Sequence, residues 1–184
     1  MISAPLEIDL AHARRLTRAD PLVRALGFGK GVATVVDATA GLGRDAAALA
    51  RVGFRVIAIE RVPALVERWR AAMAGAPRNL EFLAGDAREI LPGLVAAGRR
   101  PDAIFLDPMY AGRERKSAQK KDLVALRALV GDDADAEALL EVALGCAGQR
   151  VVVKRPRKAP PLAPGATHSW VGASTRFDLY RRAG

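Results

Sequence analysis

Cysteine, histidine and aromatic residues are scarce in this chain of 184 residues. It has one cysteine, Cys146, and two histidines, and only 5% of its residues are aromatic. A single cysteine excludes an internal disulfide and any zinc site built from clustered cysteines. The two histidines, His12 and His168, lie far apart and match no metal-binding spacing. The sequence therefore predicts no metal site.

Long apolar runs are also missing, and no stretch approaches the ~20 apolar residues that a membrane span needs. The first seven residues lack a basic head followed by an apolar stretch, so we expect no secretory signal and a cytoplasmic location. Basic charge is plentiful, since 29 lysines and arginines against 20 acidic residues give a net charge of +9. Such a charge favours nucleic acid as a partner, although an arginine-rich composition alone would give the same value.

Short β-branched runs alternate with Ala- and Leu-rich stretches of helical spacing. Strands are predicted at Thr34–Asp37, Phe54–Glu60, Leu80–Asp86, Ala103–Asp107 and Arg150–Lys154, and helices at 44–52, 63–74, 88–97, 122–130 and 135–147. This alternation predicts an α/β fold with a mostly parallel sheet and helices on both faces. Two further strands, at 167–174 and 176–180, predict an antiparallel pair at the C-terminal edge of a seven-stranded sheet. We expect one domain over 1–184, with residues 1–30 as a helical, surface-lying arm.

Four successive strand candidates end in a carboxylate, and these residues are Asp37, Glu60, Asp86 and Asp107. A single acid after a strand is commonly a helix N-cap. Ligands of an open α/β sheet, however, bind at the carboxyl ends of its strands. Four acids at that end predict that the side chains surround one crevice.

A loop with two glycines follows the first strand, and Gly41 and Gly43 allow its backbone to turn tightly and approach a ligand. The loop also satisfies the dinucleotide fingerprint GxGxxG/A, so a nicotinamide-dependent dehydrogenase is one alternative. Asp37 would have no evident role beside a pyrophosphate and better suits a cationic ligand without phosphate. S-adenosylmethionine (SAM) is such a ligand, with Asp37 at its amino-acid end, Glu60 at its ribose hydroxyls and Asp86 at its adenine amine.

The fourth strand ends in the sequence Asp107-Pro108-Met109-Tyr110, which resembles the (D/N)PP(Y/F) motif of methyltransferases that modify amino groups of nucleobases. A conjugated amine is a poor nucleophile, and an acceptor for its protons, from Asp107 or the Pro108 carbonyl, favours methyl transfer. Tyr110 is predicted to stack on the base. An adenine-N6 or small-molecule amine methyltransferase that uses the same loop is a further alternative.

Together these motifs resemble the ribosomal RNA small subunit methyltransferase J family. The similar segments are 36–46, 106–110, 116–118 with Lys120 and Lys121, 151–156, 159–162 and 176–178. The resemblance implies a Rossmann-like class I methyltransferase that uses SAM to methylate the N2 amine of a guanosine in small-subunit ribosomal RNA. It implies cofactor contacts at Arg44, Asp45, Glu60, Arg61, Asp86, Ala87 and Asp107. The family often has Ser-Ser at Asp86-Ala87, so we expect different adenine contacts here.

Two basic stretches follow strands that face the same crevice. The predicted RNA contacts are Arg113, Arg115, Lys116, Lys120 and Lys121 in the first stretch, and Lys154, Arg155, Arg157 and Lys158 in the second. Phosphate contacts at these positions would orient an RNA substrate at the mouth of the crevice. Two alternatives remain open, namely a pair of solvated loops and a basic RNA-binding module without catalysis.

Overall fold

The computed structural model describes residues 8–10, 13–108 and 135–181. They contain seven strands, β1 to β7, at Thr34–Asp37, Arg55–Glu60, Leu80–Ala84, Ala103–Leu106, Arg150–Pro156, His168–Val171 and Thr175–Arg181. The strands form one sheet in the order β3-β2-β1-β4-β5-β7-β6. The first five strands are parallel, and β7 runs antiparallel to both β5 and β6. This confirms the predicted α/β sheet and its antiparallel C-terminal pair.

The described part of the chain also has five α-helices, α1 to α5, at Pro21–Leu26, Arg44–Val52, Pro63–Ala72, Ala87–Ala96 and Ala136–Cys146. A 3₁₀ turn at Met73–Gly75 continues α3. Helices α2 to α5 follow the predicted segments closely, whereas the predicted helix at 122–130 lies outside the described residues.

The sheet separates two apolar clusters because alternate residues of a strand point to opposite faces. Val35 of β1 and Phe105 of β4 belong to the cluster that includes residues of α1, α2 and α3. Val36 and Ile104, one position away, belong to the cluster that includes residues of α4 and α5. Burial on both faces explains why these strands are continuously apolar.

The direction of chain progression reverses at β1, which lies between β2 and β4. The chain moves outward through β2 and β3 on one side and through β4 and β5 on the other. A crevice forms at such a switch point, outside the carboxyl ends of the strands. Asp37 and Glu60 are the last residues of β1 and β2, and Asp107 directly follows β4, so the fold brings these acids to the crevice.

The N-terminal segment differs from the predicted helical surface arm. Among its described residues only α1 is helical, and residues 13–17 have no regular structure. Ile8 and Leu10 are buried with Leu22 and Leu26 in the first apolar cluster, and Arg51 donates a hydrogen bond to the Leu10 carbonyl. The prediction was wrong because these apolar side chains pack into the core rather than along one face of a helix.

Candidate functional site

A cavity of about 830 Å³ lies at the carboxyl ends of the strands, within the ~300–1,000 Å³ range of small-molecule sites. Among the described residues, its lining holds eight acidic side chains, Asp9, Asp20, Asp37, Asp45, Glu60, Asp86, Asp107 and Asp135, and five basic ones, Arg14, Arg44, Arg61, Arg88 and Lys154. The excess of carboxylates contrasts with the net charge of +9 of the whole chain. The cavity therefore suits a cationic ligand and disfavours a dinucleotide pyrophosphate.

The glycine loop between β1 and α2 is held by hydrogen bonds and by packing. The Gly41 N–H donates to Oε2 of Glu60 over 2.8 Å, and the Gly41 carbonyl accepts from the Trp69 indole N–H over 2.9 Å. Gly43 has a left-handed φ of 71° and lies against the Trp69 ring. The Trp69 ring stacks on Phe82 with 4.7 Å between ring centroids. Helix α3 and strand β3 thus fix the position of the loop.

Glu60 ends β2 and joins two backbone segments. Its Oε2 accepts from Gly41, and its Oε1 accepts from the Val62 N–H over 2.8 Å. Burial raises the pKa of the Glu60 carboxyl, and the backbone hydrogen bonds oppose that rise. These bonds orient the carboxylate in the cavity, where it can accept further hydrogen bonds from a diol.

Asp37 ends β1 and is only 2% exposed. Burial and the neighbouring charges of Asp45 and Asp107 raise its pKa to about 8, while the Thr39 N–H and Lys154 oppose the rise. The Thr39 N–H donates to Oδ1 of Asp37 over 3.2 Å. At neutral pH much of Asp37 is therefore protonated, and a bound cation would favour its ionised form.

Asp107 directly follows β4 and is bound from two sides. Its backbone N–H donates to the Thr39 hydroxyl over 2.7 Å, and its Oδ2 accepts from Nζ of Lys154 over 2.6 Å. Lys154 also donates to Oδ2 of Asp45 over 2.8 Å. The glycine loop, α2, β4 and β5 are therefore joined around one ammonium group inside the cavity.

A second ion cluster lies where β2, α4 and α5 meet. Asp86 caps α4 by accepting from the Arg88 N–H, and it pairs with the Arg88 guanidinium over 2.6 Å. Asp135 pairs with Arg61 over 2.7 Å and with Arg88 over 3.1 Å. The hydrogen bond from Arg88 holds the pKa of Asp86 below its ordinary value, and the bond from Arg61 does the same for the pKa of Asp135. Both carboxylates therefore remain ionised at neutral pH.

Most of the predicted cofactor residues line the cavity together, namely Asp37, Gly41, Arg44, Asp45, Glu60, Arg61, Asp86, Ala87 and Asp107. Gly43 acts instead through its packing against Trp69. Sequence reasoning missed Asp135, whose available signal was its position as the first residue of the helix predicted at 135–147. It did not single out Arg14 and Asp20 of the N-terminal segment, or the β6–β7 turn at 172–175, all of which line the cavity.

The structure describes only the second of the two basic stretches that were predicted to contact RNA. Tyr110 and the first stretch, Arg113, Arg115, Lys116, Lys120 and Lys121, lie outside the described residues, while Pro108 is described and buried. In the second stretch Arg157 and Lys158 are exposed. Lys154 is bound to two carboxylates, and Arg155 is buried and donates to the Pro160 carbonyl over 2.9 Å. The structure therefore corrects the prediction that Lys154 and Arg155 are exposed phosphate contacts.

The described residues contain no group of three or more His, Cys, Asp or Glu side chains arranged to hold a metal ion. Within the same part of the chain, no helix has the length and apolar character required to cross a membrane.

Comparisons with known proteins identify a family of methyltransferases. The family described as "Putative SAM-dependent methyltransferase" matches residues 6–182. A ribosomal RNA small subunit methyltransferase J from Chromohalobacter salexigens is 41% identical, with 96% of this chain and 77% of the relative aligned. The protein of the same name from Dechloromonas aromatica is 43% identical, over 96% and 78% of the two chains. A crystal structure of a SAM-dependent methyltransferase from Neisseria gonorrhoeae has 34% identity and a TM-score of 0.73, over 97% of this chain and 75% of that one.

Proposed function

Because the chain belongs to the ribosomal RNA small subunit methyltransferase J family, we propose that it methylates the N2 amine of a guanosine in small-subunit ribosomal RNA, with SAM as the methyl donor. The observation that carries the proposal is the acidic cavity at the switch point of the sheet, with Asp107 in its wall. The proposal includes a single domain over 1–184 and a cytoplasmic setting, which suits a chain with one free cysteine.

The cavity lining fits SAM chemically. SAM, when bound, supplies a methyl group on a positively charged sulfur. Asp37 and the glycine loop would hold the amino-acid end, Glu60 would accept the ribose hydroxyls, and the segment at Asp86 and Ala87 would lie at the adenine. Arg44 and Asp45 begin α2 beside the loop, and Arg61 completes the wall next to Glu60.

The acceptor side of the reaction is assigned to the residues after β4. The Asp107 carboxylate and the Pro108 carbonyl would accept N–H protons of the amine, which directs the nitrogen lone pair toward the methyl group. Tyr110 would stack on the base, which must be unstacked from the RNA to enter the cavity. Holding the amine nitrogen in line with the methyl group and the sulfur of SAM lowers the barrier more than acid–base chemistry does.

RNA phosphates would be bound around the mouth of the cavity. The backbone N–H of Arg157 donates to the Ser174 carbonyl over 3.1 Å, so Arg157 and Lys158 lie beside the β6–β7 turn that lines the cavity. Arg113, Arg115, Lys116, Lys120 and Lys121 follow Tyr110 in the sequence and are assigned the same role. Phosphate contacts of this kind position the RNA without reading its sequence.

The proposed function is tested by transfer of labelled methyl to small ribosomal subunits prepared from a strain that lacks the gene. Digestion to nucleosides followed by mass spectrometry should identify N2-methylguanosine at one position. Labelled N6-methyladenosine would instead support the adenine-N6 alternative. Absence of label from ribosomal RNA, with intact RNA binding, would support a module without catalysis.

Replacing Glu60 tests the ribose contact. We expect Glu60→Gln to weaken S-adenosylhomocysteine binding about 10- to 100-fold, because the amide has one acceptor oxygen where the carboxylate has two. Isothermal titration calorimetry gives the affinity, and thermal unfolding shows whether the loop remains folded. Glu81, on the neighbouring strand β3 and half exposed, provides the matched control Glu81→Gln, which should bind normally. Unchanged affinity in Glu60→Gln would exclude the ribose role.

The raised pKa of Asp37 predicts proton release on SAM binding. A cation beside the buried carboxyl stabilises its charged form, so SAM should displace a proton near pH 7 and bind more tightly as the pH rises toward about 8. Calorimetry in buffers of different ionisation enthalpy measures the number of protons released. Asp37→Asn should abolish the release, and a release that persists in this variant would assign the proton to another group.

The same pKa predicts how stability depends on pH in the protein without ligand. The folded state holds a proton on Asp37 between the ordinary pKa of 3.8 and about 8, whereas the unfolded chain has lost it. The stabilising contribution is therefore complete below pH 3.8 and is lost as the pH rises through 8, with a slope of at most about 1.4 kcal/mol per pH unit. Asp37→Asn should flatten this slope in urea unfolding between pH 6 and about 8.

A further inference from the structure

Lys154 lies in the cavity wall at a position fixed by three elements. It projects from β5 and binds Asp45, in the first turn of α2, and Asp107, at the end of β4, over 2.8 and 2.6 Å. The exposed fractions of the Lys154, Asp45 and Asp107 side chains are 16%, 20% and 23%. The three side chains are thus largely desolvated but still reachable from the cavity.

The ammonium group retains hydrogen-bonding capacity toward a ligand. An ammonium has three N–H donors, and the bonds to Asp45 and Asp107 use two of them. Burial acts to lower the pKa of Lys154, but the charges of Asp107 and Asp45 outweigh burial and raise the pKa above its ordinary value. Lys154 is therefore a permanent donor that stands directly beside the carboxylate acceptor of Asp107.

A cation next to a carboxylate matches the Watson–Crick edge of guanine. That edge presents the acceptor O6 beside the donors N1–H and N2–H₂. Adenine has an amine donor at position 6, which would face the donor of the cation, and only a C–H at position 2, so the carboxylate would lose its amine partner. A site built to bond a particular polar group rejects an analogue that lacks it by a large factor, because the buried groups of the site are then left unpaired.

We propose that Lys154 is the specificity-determining residue for guanine, donating its third N–H to O6 while Asp107 accepts from the N2 amine. This inference rests on the proposed function and adds to it the reason why a guanine is selected. It assigns Lys154 a contact with the base inside the cavity, distinct from the exposed phosphate contacts of Arg157 and Lys158.

The test combines a protein variant with a substrate analogue. Small-subunit RNA is prepared with guanosine or 6-thioguanosine at the mapped target position, because sulfur is a weaker acceptor than oxygen and the N1–H and the amine are retained. We measure kcat/KM for methyl transfer by the wild-type protein and by Lys154→Met. Each change alone should reduce kcat/KM about 10- to 100-fold, the range for a hydrogen bond to a charged group. Both changes together should cause no greater loss than either one.

Several outcomes would overturn the inference. If the two losses multiply, Lys154 and O6 act independently and the proposed contact is absent. Full activity of the wild-type protein on 6-thioguanosine excludes the contact without reference to any variant, which covers the case in which Lys154→Met fails to fold. A variant that loses S-adenosylhomocysteine binding would place Lys154 in cofactor binding instead. Absence of wild-type transfer to any guanosine N2 would refute the proposed function itself, a result distinct from these.

The conservative variant Lys154→Arg supplies a matched control. Arginine keeps the positive charge and several N–H donors, so Lys154→Arg should still discriminate guanosine from 6-thioguanosine, although its larger planar group lowers the rate on both. Suppose instead that Lys154→Arg binds the cofactor normally and methylates guanosine and 6-thioguanosine equally well. In that case an N–H donor at this position does not select guanine, which would contradict the hydrogen bond to O6.

Discussion

Gly43→Ala is expected to lose several kcal/mol of stability together with most cofactor binding. A Cβ at this position would lie 2.3 Å from Cζ2 and 2.5 Å from Cη2 of Trp69, and 2.9 Å from Cδ2 of Leu10. Trp69 is fully buried, and its ring stacks on Phe82, so it has little room to move. Overpacking of about 1–3 kcal/mol adds to a cost of about 1–2 kcal/mol for an alanine in the left-handed region.

Gly29→Ala is the matched control for this experiment. Gly29 has a φ of 72°, close to the 71° of Gly43, but a Cβ there would meet no atom within 4 Å. Gly29→Ala should therefore show only the backbone cost of about 1–2 kcal/mol. Urea unfolding and S-adenosylhomocysteine titration of both variants separate the two contributions. Equal losses of stability would mean that packing of the glycine loop against Trp69 does not position the site.

Asp107→Ala is expected to reduce kcat for methyl transfer by about 100-fold or more, the effect of removing one oriented group that stabilises a transition state. Its carboxylate is held by Lys154 and its backbone N–H by Thr39, so its position in the cavity wall is defined. The KM for SAM should change much less than kcat, because Asp37, Glu60 and the glycine loop remain to bind the cofactor.

The conservative variant Asp107→Asn separates hydrogen bonding from charge. An amide oxygen still accepts from the substrate amine, so Asp107→Asn should retain more activity than Asp107→Ala. Single-turnover kinetics on small subunits measures the chemical step directly. A large rise in the KM for SAM with little change in kcat would assign Asp107 to the cofactor and leave the Pro108 carbonyl as the acceptor of the amine protons.

The sequence predicted best where local pattern and tertiary burial agree. Strand β1 and helix α2 have the predicted bounds, because a β-branched run followed by a glycine loop has few other conformations. Helix α4 forms although Pro92 and Gly93 interrupt its pattern, because Leu91 and Leu94 are buried and both interrupting residues are exposed. Packing of the flanking leucines therefore outweighs the low helix propensity of Pro92 and Gly93.

Prediction failed where the outcome depends on contacts between distant segments. Ile8 and Leu10 belong to the core, and no local periodicity in the N-terminal segment reveals this. Lys154 lies among basic neighbours in the sequence, which suggested an exposed patch. Its ion pairs span 109 residues to Asp45 and 47 to Asp107. Only the order of the strands in the sheet brings these three charges together.

A crystal structure with S-adenosylhomocysteine bound would show whether the cofactor occupies the acidic cavity. We expect the ribose hydroxyls within hydrogen-bonding distance of Glu60, the adenine beside Asp86 and Ala87, and the amino-acid end at Asp37 and the glycine loop. The sulfur should face Asp107 and leave open the side of the cavity next to Lys154. A ligand bound elsewhere on the protein, or a cavity that stays closed by these side chains at saturating ligand, would show that the cavity is not the cofactor site.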